Sequence, residues 1–228
     1  MRNILKFIAV LLILSNIGFA QNSLKDKEIV SAEYTKVAKP ATVEDRAGGT
    51  HNASNIGLFF ENRGKLYPRR ITQGPSGEFP IGSGKNYIYR INPYVGIPGN
   101  VIQGRFTTNE EWEAVGGFQN REYAKIAFSD NPVSWNPDLG WPLKDAAGNP
   151  VVKSDQDSYC VFNDSNNTVQ ILGLQVAQTG YAFGTNFAKN ILFFKYELTN
   201  TSQNTYDSLY FHLHNDIDVG DISGGLPE

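Results

Sequence analysis

The sequence predicts an all-β protein, an antiparallel β-sandwich with long loops, on three observations. Gly and Pro are plentiful, at 22 and 11 residues, beside 14 Phe and 11 Tyr, a composition of short strands separated by turns rather than of helices. Two runs near the C-terminus alternate apolar and polar residues with a period of two. The length is enough for one sizeable core, or one core and a small satellite.

Taken in order, residues 1–20 read MRNILKFIAVLLILSNIGFA. Arg2 and Lys6 precede an apolar run from Phe7 to Leu14, and Gly18-Phe19-Ala20 supplies a small-x-small cleavage pattern, the three parts of a secretory signal peptide. The apolar run is shorter than the roughly 20 residues that span a bilayer. Export to the cell surface or the extracellular space is therefore expected, with cleavage after Ala20 and no transmembrane segment left behind. Loss of this segment removes two basic and no acidic residues, so the formal net charge goes from −3 to −5. The remaining basic residues are scattered, which argues against nucleic acid as a partner, because phosphate binding needs a concentrated basic footprint. The expected partner is an extracellular ligand or a cell-surface component.

Residues 21–55 are polar and read as an N-terminal segment or linker, in which EIVSAEYTKVAKP suits a first strand or an extended linker and EDRAGGTHNASN a loop, and residues 56–228 read as the sandwich domain. Within the domain IGLFF, NYIYRI and NVIQGRF are short apolar runs bounded by Gly, Pro or Asn, as strands are. TTNEEWEAV carries the one helical hint, with Thr108 and Glu111 spaced as in a capping box. Asp130 to Pro150 is dense in Pro, Gly, Asn and Asp and reads as a long irregular loop pinned to the domain by Trp135 and Trp141. Cys160, the single cysteine, lies in an apolar strand-like run and reads as a small buried hydrophobe rather than a nucleophile.

In NILFFKYELTN, Leu192, Phe194, Tyr196 and Leu198 alternate with Phe193, Lys195, Glu197 and Thr199. In DSLYFHLHNDIDVG, Leu209, Phe211, Leu213, Ile217 and Val219 share one parity, and His212, His214, Asp216 and Asp218 the other. Both are half-buried strands, and the short polar link TSQNTY predicts an antiparallel hairpin between them. A sheet with one dry face buries it most economically against a second sheet, giving a sandwich of immunoglobulin-like or jelly-roll-like kind.

The chemistry concentrates in the last of these strands. His212 and His214 on one face offer two imidazoles to a transition metal, but His51, the only other histidine, reads as part of a remote loop. Asp216, Asp218 and Asp221 around Gly220 offer carboxylate oxygens to a hard cation, for which Ca2+ is the expected ion, the alternative being a plain strand-end turn, since Asp and Gly are ordinary turn formers. Asp155, Asp157, Asn163 and Asp164 flank another strand. Their carboxylates read as turn formers, the alternative being a polysaccharide-acting hydrolase that uses paired carboxylates from Asp155, Asp157 or the C-terminal aspartates Asp216, Asp218 and Asp221.

The blocks SDNPVSWNPDLGWP, SDQDSYCVFNDSN, LGLQVAQTGYAF, NILFFKYELTNTSQNTYDSLYF and NDIDVGD, taken in succession, resemble the N-terminal region of large exported proteins from bacteria that use type IX secretion. Asp216, Asp218, Gly220 and Asp221 match that group's Asp-x-Asp-x-Gly-Asp pattern, and Asn163-Asp164 its Asn-Asp pair. His212 and His214 depart from it, and KDAAGNPVV is a reduced version of a loop often richer in Asp and Gly. The resemblance implies a longer protein with further β-modules and a sorting domain, so the sandwich is expected to be cut short at its C-terminal end, the alternative being a short paralogue secreted without retention. It implies location and architecture more than chemistry, and favours a structural or ligand-binding module over an enzyme.

Overall fold

The computed structural model describes residues 4–11, 29–30, 45–98, 100–103, 112–115, 126–167 and 171–218. Its strands are β1 (Ile4–Leu11), β2 (Ile29–Val30), β3 (Gly48–His51), β4 (Gly57–Glu61), β5 (Ser76–Glu78), β6 (Ile88–Ile97) and β7 (Asn100–Gln103). They continue with β8 (Glu113–Ala114), β9 (Ala127–Phe128), β10 (Leu143–Lys144), β11 (Gln156–Asn163), β12 (Leu174–Ala182), β13 (Leu192–Asn200) and β14 (Tyr210–Ile217). The pairings given by register are antiparallel throughout, as the all-β expectation requires.

A six-stranded sheet runs β1-β13-β12-β11-β8, with β9 also on β11. Facing it are two three-stranded sheets, β3-β4-β5 and β14-β6-β7. The alternation in β11, β12 and β13 explains the layering. Cys160, Phe162, Leu174, Val176, Phe194, Tyr196 and Leu198 point inward and join Leu58, Phe60, Ile88, Ile91 and Val95 of the facing sheets in one core. Each fully buried side chain of this size is worth about 1.5–3 kcal/mol of transfer free energy. The opposite face of β11 is covered by the long loop, in a second cluster of Val115, Ala127, Trp141, Leu143, Tyr159 and Val161 against which Trp135 packs. Both indoles also bond backbone carbonyls that flank the loop: Trp141 Nε1 donates to the Val151 oxygen at 2.8 Å and Trp135 Nε1 to that of Phe128 at 2.7 Å. The expected anchors are thus in place, and the loop forms the satellite core.

Three expectations are corrected. β13 and β14 are not a hairpin: β13 lies between β12 and β1, while β14 crosses to the other layer and pairs with β6. Alternation fixes which face of each strand is dry, and both dry faces are served by opposite layers of one core. The stretch EDRAGGTHNASN is not all loop, because β3 lies within it and pairs with β4 from Gly48↔Glu61 to His51↔Leu58. Glycine makes that strand possible, since a Cβ at Gly48 would come within 2.1 Å of the Phe59 ring. The helical hint falls largely outside the described residues, and its end, Glu113–Ala114, is a strand on β11.

Candidate functional site

The C-terminal strand keeps its predicted row as far as Asp216. Across from it in register stand Tyr94 for His212, Asn92 for His214 and Arg90 for Asp216. The two imidazole centroids are 6.5 Å apart, and each is 5.9 Å from the Tyr94 ring. Arg90 Nη2 reaches His214 Nε2 at 3.3 Å and Asp216 Oδ2 at 3.6 Å. A guanidinium only donates, so Nε2 of His214 is the accepting nitrogen and its lone pair faces Arg90 rather than open solvent. The row then breaks. A bulge between Asp216 and Ile217 shifts the register, Ile217 is 48% exposed, and the Asp218 N–H donates to the Tyr87 carbonyl at 3.0 Å. Gly220 and Asp221 lie outside the described residues. Among the described residues no group of three His, Cys, Asp or Glu side chains is placed to hold a metal.

His51 is a correction of another kind, since it is not in a remote loop but at the end of β3 in the centre of the core, with no exposed surface. Its ring stacks on Phe60 at 5.2 Å and meets the edges of Phe128 and Phe194 at 5.9 and 5.8 Å. Nδ1 lies 3.2 Å from Gln156 Oε1 and Nε2 lies 2.8 Å from Ser158 Oγ. The amide of Gln156 is oriented by Nε2 donating to Asn52 Oδ1 and Asp130 Oδ2, each at 3.0 Å. Oε1 therefore faces the imidazole and can only accept, which puts the proton on Nδ1 and leaves Nε2 to accept from the Ser158 hydroxyl. Burial holds the imidazole neutral, its pKa lowered to about 4.

Hydroxyl, imidazole and orienting acceptor is the order of an activated nucleophile. Ser158 is 1% exposed, however, and a nucleophile must reach its substrate. The constellation acts instead as a polar lock between layers, tying β3 to β11. Gly180, opposite Ser158 in register, makes room for it: a Cβ there would sit 2.4 Å from His51 Nε2 and 2.7 Å from Ser158 Oγ. One step along the sheet, Cys160, Gln178 and Tyr196 stand side by side in register, all buried. Burial pushes the Cys160 thiol and the Tyr196 phenol up, so both stay protonated. Among the described residues the Tyr196 hydroxyl and the Gln178 amide have no hydrogen-bond partner.

The remaining carboxylates hold loops. Asp157 accepts from the backbone of Lys153 at 2.8 Å and of Ser154 at 2.9 Å, and from the Ser154 hydroxyl. Asp155 accepts from the Gly184 N–H at 2.8 Å. Asp164 accepts the N–H groups of Leu172, Gly173 and Leu174, closing the β11–β12 connection, while Asn163 Oδ1 accepts from Ser165 at 3.0 Å. Desolvation outweighs these bonds and raises the Asp157 and Asp164 carboxyls above the ordinary carboxylate value. Glu113 goes the other way: burial would raise it, but the paired nitrogens of Arg46 and the Ala114 N–H hold it low.

The polar lock escaped the sequence reading because nothing in GGTH marks a core strand. One signal was available, since Gln156 and Ser158 share the parity of Cys160 and Phe162 and so extend the buried face of β11 with polar residues. Comparison with protein-family models, with curated proteins and with solved structures found no match. Among the described residues no helix is long and apolar enough to cross a membrane.

Proposed function

We propose that this chain is an exported β-sandwich module, structural or ligand-binding, of the cell surface or extracellular space, and the N-terminal part of a larger secreted protein. Its leader, residues 1–20, is removed after Ala20. The observation that carries the choice of a module over a hydrolase is the engagement of Asp155 and Asp157 with loop backbone, beside the pairing of Asp216 with Arg90. A glycosidase needs two carboxylates aimed across a cleft at one glycosidic bond. Here each carboxylate is aimed at N–H groups of its own neighbourhood, which is the work of a scaffold that presents loops. The resemblance to exported type IX proteins supports the location.

Ca2+ belongs to this reading as a stabilising ion held by Asp216, Asp218 and Asp221. Arg90 sets its terms, because a guanidinium 3.6 Å from Asp216 competes with a cation for the same carboxylate. Binding is accordingly weak, in the range of about 10⁻⁴ to 10⁻³ M usual for extracellular modules.

The test is expression with the native leader in an exporting host, followed by cell fractionation and mass spectrometry of the amino terminus. The expected result is material outside the cytoplasm that begins at Gln21. Cytoplasmic protein that retains Met1 overturns the reading.

A further inference from the structure

The edge of the six-stranded sheet is held by β1, whose eight residues Ile4–Leu11 lie within the leader. Loss of the leader uncovers β13 from Leu192 to Thr199, a row of backbone donors and acceptors that is a template for another strand. The edge has two rows of side chains. Leu192, Phe194, Tyr196 and Leu198 face the core, and Phe193, Lys195, Glu197 and Thr199 the opposite side, where Lys195 and Glu197 are themselves buried and Lys195 Nζ lies 2.9 Å from Glu197 Oε2.

Suppose the incoming strand is β13 of a second copy, related by a two-fold axis normal to the sheet. Both core rows then stay on one side, and the axis must fall on a residue. An axis on Lys195 sets two lysines opposite each other, and an axis on Glu197 sets two glutamates opposite each other. With the axis on Tyr196, Lys195 faces Glu197 of the second copy, and Glu197 faces its Lys195. Opposite charges directly across a strand pair stabilise it and like charges destabilise it, so the central register is selected by charge.

The strand already seated on this edge points to the same occupant. β1 sets Ile4, Leu5, Lys6 and Phe7 opposite Thr199, Leu198, Glu197 and Tyr196. With the axis on Tyr196, the residues there are Phe193, Phe194, Lys195 and Tyr196 of the second copy. Both strings read apolar, apolar, lysine, aromatic, in the same direction. We propose that once the leader is cut away β13 pairs with β13 of a second copy across a two-fold axis at Tyr196, and that β1 holds this edge until then. The inference rests on the leader removal proposed above.

The experiment compares the exported protein, its amino terminus read by mass spectrometry, with the unprocessed chain from a non-exporting host, by sedimentation velocity over a concentration series. A dimer of Gln21 chains beside a monomer of unprocessed chains is expected. Retention of Met1 after export overturns the leader reading and the dimer with it. Gln21 chains that stay monomeric up to their solubility limit overturn the dimer alone. Lys195→Glu and Glu197→Lys should each weaken dimerisation by about tenfold or more, and the double exchange should restore it. Urea unfolding of each variant separates lost pairing from lost folding. The register has its own readout: Phe193→Cys chains mixed with Thr199→Cys chains should cross-link under mild oxidation, whereas neither should do so alone. Cross-linking within one variant, or none in the mixture of folded chains, overturns the assignment.

Discussion

Acid should unfold this protein largely through one buried imidazole. In the unfolded chain His51 takes a proton below its ordinary value of 6.5, while in the fold it stays neutral down to about 4. Between those values the unfolded state binds the proton and the native state does not, so stability is complete above pH 6.5 and falls as pH falls toward 4. Integrated over that window the loss is about 3 kcal/mol, a large part of the roughly 5–15 kcal/mol that holds a typical domain together. The cause is local: a charged ring would sit against Phe60, Phe128 and Phe194 with Nε2 facing a hydroxyl that must turn from donor to acceptor. The assay is urea unfolding at a series of pH values from about 7.5 to about 4, on the wild type and on His51→Gln. Asp157, Asp164 and Glu113 also titrate with shifted values, but they are common to both proteins and cancel in the difference. The difference in unfolding free energy should shrink by about 3 kcal/mol from neutral to acid pH. A difference that stays flat would mean that His51 is not a neutral, sealed group in the fold.

Gly180→Ala drives a methyl into the buried His51–Ser158 contact and should destabilise by about 1–3 kcal/mol, read by thermal unfolding; an unchanged midpoint would show that the lock is loose. Tyr196→Phe removes a buried hydroxyl that has no partner among the described residues and should stabilise the monomeric unprocessed chain by about 1 kcal/mol in urea, whereas a loss would reveal a bond that the phenol makes. Calcium at ten times its dissociation constant should raise stability by roughly 1.4 kcal/mol, seen as a shift in melting temperature against chelator. Asp218→Asn should abolish that shift, the His212→Ala, His214→Ala double variant should keep it, and Arg90→Gln should enlarge it by freeing Asp216. A shift that survives in Asp218→Asn shows that the ion sits elsewhere.

The sequence by itself determined what short-range chemistry determines. Residues of equal parity in β11, β12 and β13 face the same way because a strand repeats every two residues, so the dry faces, the all-β class and the buried Cys160 were legible. Trp135 and Trp141 were legible as anchors because indoles in a turn-rich loop have few other places to go. Pairing was not legible. Whether β14 lies beside β13 or beside β6 depends on which edges are open after the other strands have docked, a long-range competition that a local pattern does not record. The bulge that ends the row of His212, His214 and Asp216 before Asp218 likewise comes from the fit of β14 to β6. His51 is the sharpest case. A histidine after two glycines and a threonine reads as loop, and only the meeting of β3 with Gln156, Ser158 and the space left by Gly180 turns it into the polar centre of the core.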